Sequence, residues 1–294
     1  MTHCFSRRSF LNGSAAATVL SSPLLPADAA FSETENGLFS PVSALCQTQY
    51  GPVKGREGEN GLLCWYGIPY GAAPTGESRW TAPQEPARWH TVRDCTSPAP
   101  AAYQYTTFPL GTEDCLKLDV YTTPNAHKLP VLVFIHGGYW RSLDKSDHSF
   151  IAPPFTQAGF CVVVVNYALC PGTPDAPVNI PHIARQMEKA LGWVWHQIAA
   201  HGGDPRRITV AGHSAGGQLA ALLLTSVWPL IGNGLPDSLV RKVLSISGVH
   251  DLEPVMYAPF LQQTLHLTEQ HVLLASPARL QAPAQGLLYS VAGG

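Results

Sequence analysis

The chain has 294 residues, of which 13% are charged and 45% hydrophobic, with a formal net charge of −2. That length supports one domain with a sizeable core, and the composition is that of a soluble globular enzyme. The charge is near neutral and no Lys/Arg run or basic stripe occurs, so a phosphate backbone would find no electrostatic footprint here.

Residues 1–30 read as an address. Ser6-Arg7-Arg8-Ser9-Phe10-Leu11 precedes an alanine-rich apolar stretch from Gly13 to Leu25 and a small-residue cleavage site, Ala27-Asp28-Ala29. This order resembles a bacterial twin-arginine signal and predicts use of that export machinery and a periplasmic or secreted location. Pro23 and Pro26 interrupt the stretch, and no later run reaches the roughly 18 apolar residues of a membrane span. The expected mature domain is residues 31–294. Export removes Cys4 and leaves Cys46, Cys64, Cys95, Cys115, Cys161 and Cys170 in a compartment where disulfides persist. Cys161 lies within a strand-like run and reads as a core thiol. No His/Cys spacing suits a metal, and no cofactor is expected.

From Phe31 to Asn60 the chain reads as a polar surface lead-in. Between Trp65 and Pro109 it is rich in proline and aromatics, which suggests loops around a sheet edge. Trp80 and Trp89 read as packing under these loops, with an acyl pocket as the alternative. Strands are predicted at Leu116–Tyr121, Pro130–Ile135, Phe160–Asn166, Ile208–Ala211, Val243–Ser247 and Gly286–Val291. Helices are predicted at Ile180–His201, before the Gly202-Gly203 stop, and at Ala215–Val227. Strand alternating with helix defines an α/β protein with a mostly parallel, doubly wound sheet, whose ligands bind at the carboxyl ends of the strands.

Two glycine motifs point to that end. Gly212-His213-Ser214-Ala215-Gly216 is G-x-S-x-G, with the strand formers Ile208 to Val210 before it and the helical Gln218 to Leu224 after it. This context lifts Ser214 out of the sheet as a nucleophile and aims the Ala215 amide, at a helix N-terminus, toward an oxyanion. Upstream, the apolar run Val131 to Ile135 ends in His136-Gly137-Gly138. Glycines there let main-chain N–H groups turn toward the serine, so Gly137, Gly138 and Ala215 are the expected oxyanion hole.

From about Leu129 onward the chain resembles the α/β-hydrolases of the kynurenine formamidase and small esterase group. The resemblance rests on His136 to Trp140, Val162 to Tyr167, Gly202-Gly-Asp204-Pro205, Gly212 to Gly217 and Ser247 to Pro254. Residues 50–122 are similar instead to type-B carboxylesterases, in Tyr50 to Gly55, Tyr66 to Gly71, Arg79-Trp80 and Glu113 to Thr122. Both groups imply the α/β-hydrolase fold and acyl transfer through a serine. In the type-B group a bridge uses a cysteine that matches Cys115; its partner would fall near Ala102, and Cys95 is the nearest substitute. The fold's chain order is Ser, then Asp or Glu, then His. Gly286 to Gly294 resembles the strand after which the formamidase group carries its acid, so the final strand, helix and histidine loop, and with them the catalytic His, are expected beyond Gly294.

Within the chain, Asp251 is a possible substitute acid, although before Leu252-Glu253-Pro254 it reads first as a turn or helix-cap residue. His250, His266 and His271 follow Ser214; the last two read as solvent-exposed. His213 points away from the serine, and His136 braces the glycine loop. The expected function is carboxylic ester hydrolysis on a small-molecule substrate, weak or absent in this chain without a base. The alternatives are an arylformamidase, for which Tyr139-Trp140 would supply an aromatic wall, and a catalytically dead binding module.

Overall fold

The computed structural model describes residues 42–292 apart from 79–80 and 106–107. The twin-arginine segment and Trp80 therefore lie outside the described residues. Eight strands form one sheet: β1 (Arg56–Glu57), β2 (Leu63–Pro69), β3 (Lys117–Thr122), β4 (Leu129–Ile135), β5 (Cys161–Val165), β6 (Gly203–His213), β7 (Lys242–Ile246) and β8 (Leu287–Val291). Their spatial order is β8-β7-β6-β4-β5-β3-β2-β1. Pairing is parallel from β8 to β5 and antiparallel from β5 to β1.

The central strands are continuous apolar runs because both of their faces are covered. Along β4 and β5 the alternation is visible in the packing. Val131, Val133, Ile135, Cys161, Val163 and Val165 join one large core, while Leu132, Phe134, Val162 and Val164 join a second on the opposite face. Helix α1 (Ala152–Gln157) adds Ala152 to the second core. Helix α2 (Ile180–Gln197) covers the first with Ile183, Met187, Leu191 and Val194. Its start is fixed by Asn179, whose side chain accepts from the His182 amide at 3.0 Å. A short 3-10 turn, Ile198–His201, carries the chain to Gly202, whose φ of 84° only glycine adopts without strain.

Three expectations change. The segment from Trp65 is not wholly loop, since Leu63–Pro69 is a strand within the main sheet. Its apolar and aromatic residues are strand formers, Pro69 stands at its end, and a register shift between Trp65 and Ile68 takes up Gly67 at φ 67°. Nor is the lead-in purely a surface segment: Leu45–Gln47 pairs with Pro52–Lys54, and Cys46, Tyr50 and Val53 are buried.

The Cys95–Cys115 bridge is also not formed. All six described cysteines are free and buried. The Cys95 carbonyl accepts from the Tyr66 amide, whereas the carbonyl of Leu116, next to Cys115, accepts from the Tyr70 amide. Those positions are four residues apart on one extended segment, about 13 Å at a strand's rise, against about 4.4–6.8 Å between bridged Cα atoms. Burial raises both thiols to about 12. Trp89 packs as expected, stacked on Tyr50 at 6.3 Å, with its indole N–H donating to the Pro52 carbonyl and Arg93 over its ring.

Candidate active site

Strand β6 runs into helix α3 (Ala215–Leu222) through a single residue, Ser214, held at φ 56° and ψ −118°. A non-glycine residue here is strained, and such strain persists only where surrounding contacts over-determine it. Those contacts are specific. The Ser214 amide donates to the Ile246 carbonyl of β7 at 2.8 Å, and its carbonyl accepts from the Gln218 amide. On one flank, a Cβ at Gly212 would stand 2.2 Å from the Gly216 carbonyl oxygen; on the other, one at Gly216 would stand 2.1 Å from that of Ile135. Only glycine on both sides lets helix, elbow and β4 close together.

The glycine loop after β4 lies against this elbow. A Cβ at Gly137 would meet the His213 carbonyl oxygen at 2.8 Å and the Ser214 Cβ at 3.2 Å. Gly138 takes φ 99°, and its carbonyl is bound by the Arg141 and Ser142 amides and the Ser142 hydroxyl. With the carbonyls occupied elsewhere, the amides of Gly137, Gly138 and Ala215 have no acceptor among the described residues. Gly137 and Ala215 are buried. Buried N–H groups left without a partner cost about 1–3 kcal/mol each, which a developing oxyanion would recover.

The loop is braced from behind. His136 is fully buried and stacks on Tyr167 at 4.2 Å; its Nδ1 lies 2.9 Å from the Gly137 carbonyl and its Nε2 3.0 Å from Asn166 Oδ1. Burial lowers this imidazole to about 4, so the ring is neutral at ordinary pH. The Tyr167 hydroxyl donates to the carbonyls of His136 and Gly137. Asn166 Oδ1 also accepts from the Lys145 amide, and the buried Lys145 ammonium pairs with Asp119 at 3.2 Å. Sequence reasoning passed over Lys145, Asp119 and the bracing roles of Asn166 and Tyr167. The Asn166-Tyr167 pair closing the valine run was their one local signal.

Trp140 is not a pocket wall. It is fully buried, its indole N–H donates to Gln218 Oε1 at 2.9 Å, and the Gln218 amide donates to the Ala275 carbonyl of helix α4 (Glu269–Ala275). Tyr139 is the exposed member of the pair, and its ring meets Phe260 edge-on at 6.1 Å. Asp251 is tied to Arg279 through both carboxylate oxygens at 2.9 Å and caps the Glu253 amide. His250 is bonded to Ser245, its Nε2 lying 2.8 Å from the hydroxyl. His266 is exposed. His271 is half-buried rather than exposed, and burial lowers its imidazole. His213 is exposed, beside the elbow. Among the described residues, no side chain is hydrogen-bonded to the Ser214 hydroxyl.

A mostly parallel sheet with a strained serine at a strand-to-helix turn, facing a glycine loop with free amides, defines the α/β-hydrolase fold. Residues 42–271 match the carboxylesterase family, and the chain belongs to it. That match runs through both halves that the sequence motifs had divided between two groups. The chain is 37% identical over 199 residues to the para-nitrobenzyl esterase of Bacillus subtilis (strain 168), covering 60% of this chain and 39% of that one. It is 31% identical over 173 residues to the kynurenine formamidase of Danio rerio, covering 58% of this chain and 54% of the relative. A solved para-nitrobenzyl esterase superposes with a TM-score of 0.61 at 32% identity, over 80% of this chain and 53% of that one. The carboxylesterase of Geobacillus stearothermophilus gives 0.60 at 27%, over 85% and 55%. The chain thus spans about half, or less, of the length of the proteins it matches.

Proposed function

We propose that this chain carries the nucleophile and oxyanion hole of a carboxylic ester hydrolase, with Ser214 as nucleophile and the amides of Gly137, Gly138 and Ala215 as oxyanion donors. The observation that carries this reading is the strained Ser214 packed against Gly137, at a turn where the amides of Gly137, Gly138 and Ala215 have no acceptor among the described residues. The Ser214 oxygen attacks the ester carbonyl carbon, the C=O pair moves onto oxygen between the three amides, and collapse expels the alcohol and leaves an acyl-serine. The serine proton needs an acceptor. Among the described residues no base is bonded to Ser214; where solvent takes the proton in place of a base, turnover falls by about 10⁶ and roughly 10³–10⁴ over water remains from the oxyanion hole and binding.

The test is hydrolysis of p-nitrophenyl acetate and of N-formylkynurenine by the purified chain, each against Ser214→Ala. Ester turnover that depends on Ser214 and stays below about 1 per second fits this reading. Equal rates in the two proteins would overturn it. Preference for N-formylkynurenine would select the arylformamidase reading, which the likeness to the fish enzyme and the exposed Tyr139–Phe260 ring pair favour. We also read Arg7-Arg8 and the segment after it as a twin-arginine export signal that delivers a folded protein to the periplasm. Replacing both arginines with lysine and finding unaltered export would contradict that.

A further inference from the structure

We propose that the buried Lys145–Asp119 ion pair positions the glycine loop after β4, so that the Gly137 and Gly138 amides stand where Ser214 needs them. The proposal rests on the reading of those amides as oxyanion donors given above. It makes Lys145 and Asp119 positioning residues, which act through the loop and not on the substrate.

Asp119 interrupts an apolar strand. Its neighbours Leu118 and Val120 join the first core, so by the alternation of β3 Asp119 faces the second, directly across from Val164. Both charged side chains are 1% exposed, and the ammonium lies 3.2 Å from the carboxylate. Beyond that contact the ammonium has no partner among the described residues, while the same carboxylate oxygen accepts from the Gly67 amide at 2.7 Å. Taking two charges out of water offsets most of their attraction, and an apolar pair of the same shape generally stabilises a fold as well or better. Stability alone therefore gives no reason for a lysine here.

The place of Lys145 in the chain does give one. It opens a 3-10 turn, Lys145–Ile151, whose start is locked by reciprocal caps: Asp144 accepts from the Ser146 amide and Asp147 from the Asp144 amide, each at 2.9 Å. The Lys145 amide donates to Asn166 Oδ1 at 3.3 Å, the same oxygen that lies 3.0 Å from His136 Nε2. Lys145 thus ties the rear of the loop to β3, while His136 holds its front. Between these anchors the backbone is strained. Gly138, Tyr139, Trp140 and Leu143 all take positive φ, and three of the four are not glycine. Such conformations persist only where the surroundings over-determine them, so loss of the rear anchor lets the loop relax and carries the Gly137 and Gly138 amides with it. A displacement of about 1 Å in a reacting site costs about 10²-fold in rate.

The test combines Asp119→Asn with Lys145→Met in the full chain, which removes both charges at nearly constant shape and leaves the Gly67 amide an acceptor. Three quantities are compared with the parent: the denaturant midpoint, hydrogen exchange over residues 137–144, and the rate at which p-nitrophenyl acetate acylates Ser214. The midpoint should equal the parent's or exceed it. The Arg141 and Ser142 amides, which bond to the Gly138 carbonyl, should exchange at least about tenfold faster, while helix Ile180–Gln197 exchanges as before. Maximal acylation should fall by about 10- to 100-fold at an unchanged half-saturating ester concentration. Unchanged exchange in the loop, or an unchanged acylation rate, would overturn the proposal. So would a double variant that fails to fold or unfolds at a clearly lower midpoint, since the pair would then hold the fold and not the loop. If the parent itself takes no acetyl group on Ser214, the reading of the amides fails, and the exchange comparison still decides whether the pair fixes the loop.

Discussion

Ser214 and its flanking glycines show how little freedom the site leaves to single residues. A methyl at Gly216 would stand 2.1 Å from a backbone oxygen of β4, which has no flexible end to yield. Gly216→Ala should therefore lower stability by about 3 kcal/mol, read as a lower denaturant midpoint at constant slope. Buried imidazoles set a second expectation at this scale. Burial depresses His136 and His201 from the ordinary histidine value to about 4. An unfolded histidine binds its proton near pH 6.5, so acidification through that value favours unfolding. The stability these residues contribute is fully present above about 6.5 and is lost as pH falls toward 4, on the order of 3 kcal/mol for each. Burial raises Asp119 and Glu188, which titrate in the opposite sense. The check is therefore a difference: His201→Asn should show a shallower loss of stability between pH 6.5 and 4 than the parent, and an identical pH profile would contradict the assignment.

Helix α3 is the element on which the site turns, and Gln218 is what fastens it. This fully buried amide takes the Trp140 indole N–H, 78 positions upstream, and gives its own to Ala275, 57 positions downstream. Gln218→Met fills the same space but leaves the Trp140 donor and the Ala275 carbonyl without partners. It should cost about 1–3 kcal/mol for each group left bare and speed hydrogen exchange in α4. Local sequence could not expose this role, because a glutamine in an apolar helix shows nothing of partners so distant along the chain. By contrast, the elbow was legible: Gly212, Ser214 and Gly216 bring their own strand before and helix after, so the geometry follows from neighbours. Strand β2 stayed hidden for the opposite reason, since the prolines around it mask a short aromatic run whose partner, β3, lies some fifty residues on.

At the scale of the whole molecule, the alternation of apolar strands and helices was enough to give the parallel half of the sheet and the end at which chemistry gathers. Of the antiparallel half only β3 was legible, at Leu116–Tyr121; β2 is masked by the prolines around it and β1 is only two residues long. The Tyr139-Trp140 pair reads as one aromatic wall in sequence, yet the fold buries Trp140 behind the glycine loop and leaves Tyr139 outside. Asp251, which reads in sequence first as a turn or cap residue and only second as an acid, caps the Glu253 amide and holds Arg279 on both of its oxygens. On the proposed reading Ser214 is the nucleophile and the amides of Gly137, Gly138 and Ala215 its oxyanion donors, and among the described residues no base is bonded to the serine, so acylation and deacylation by this chain should both be slow. The direct measurement is the intact mass of the chain after incubation with p-nitrophenyl acetate, with Ser214→Ala treated alongside. The account predicts that the parent gains one acetyl group, mapped to Ser214, and keeps it long enough to be isolated. No adduct on the parent, or the same adduct on Ser214→Ala, would contradict it.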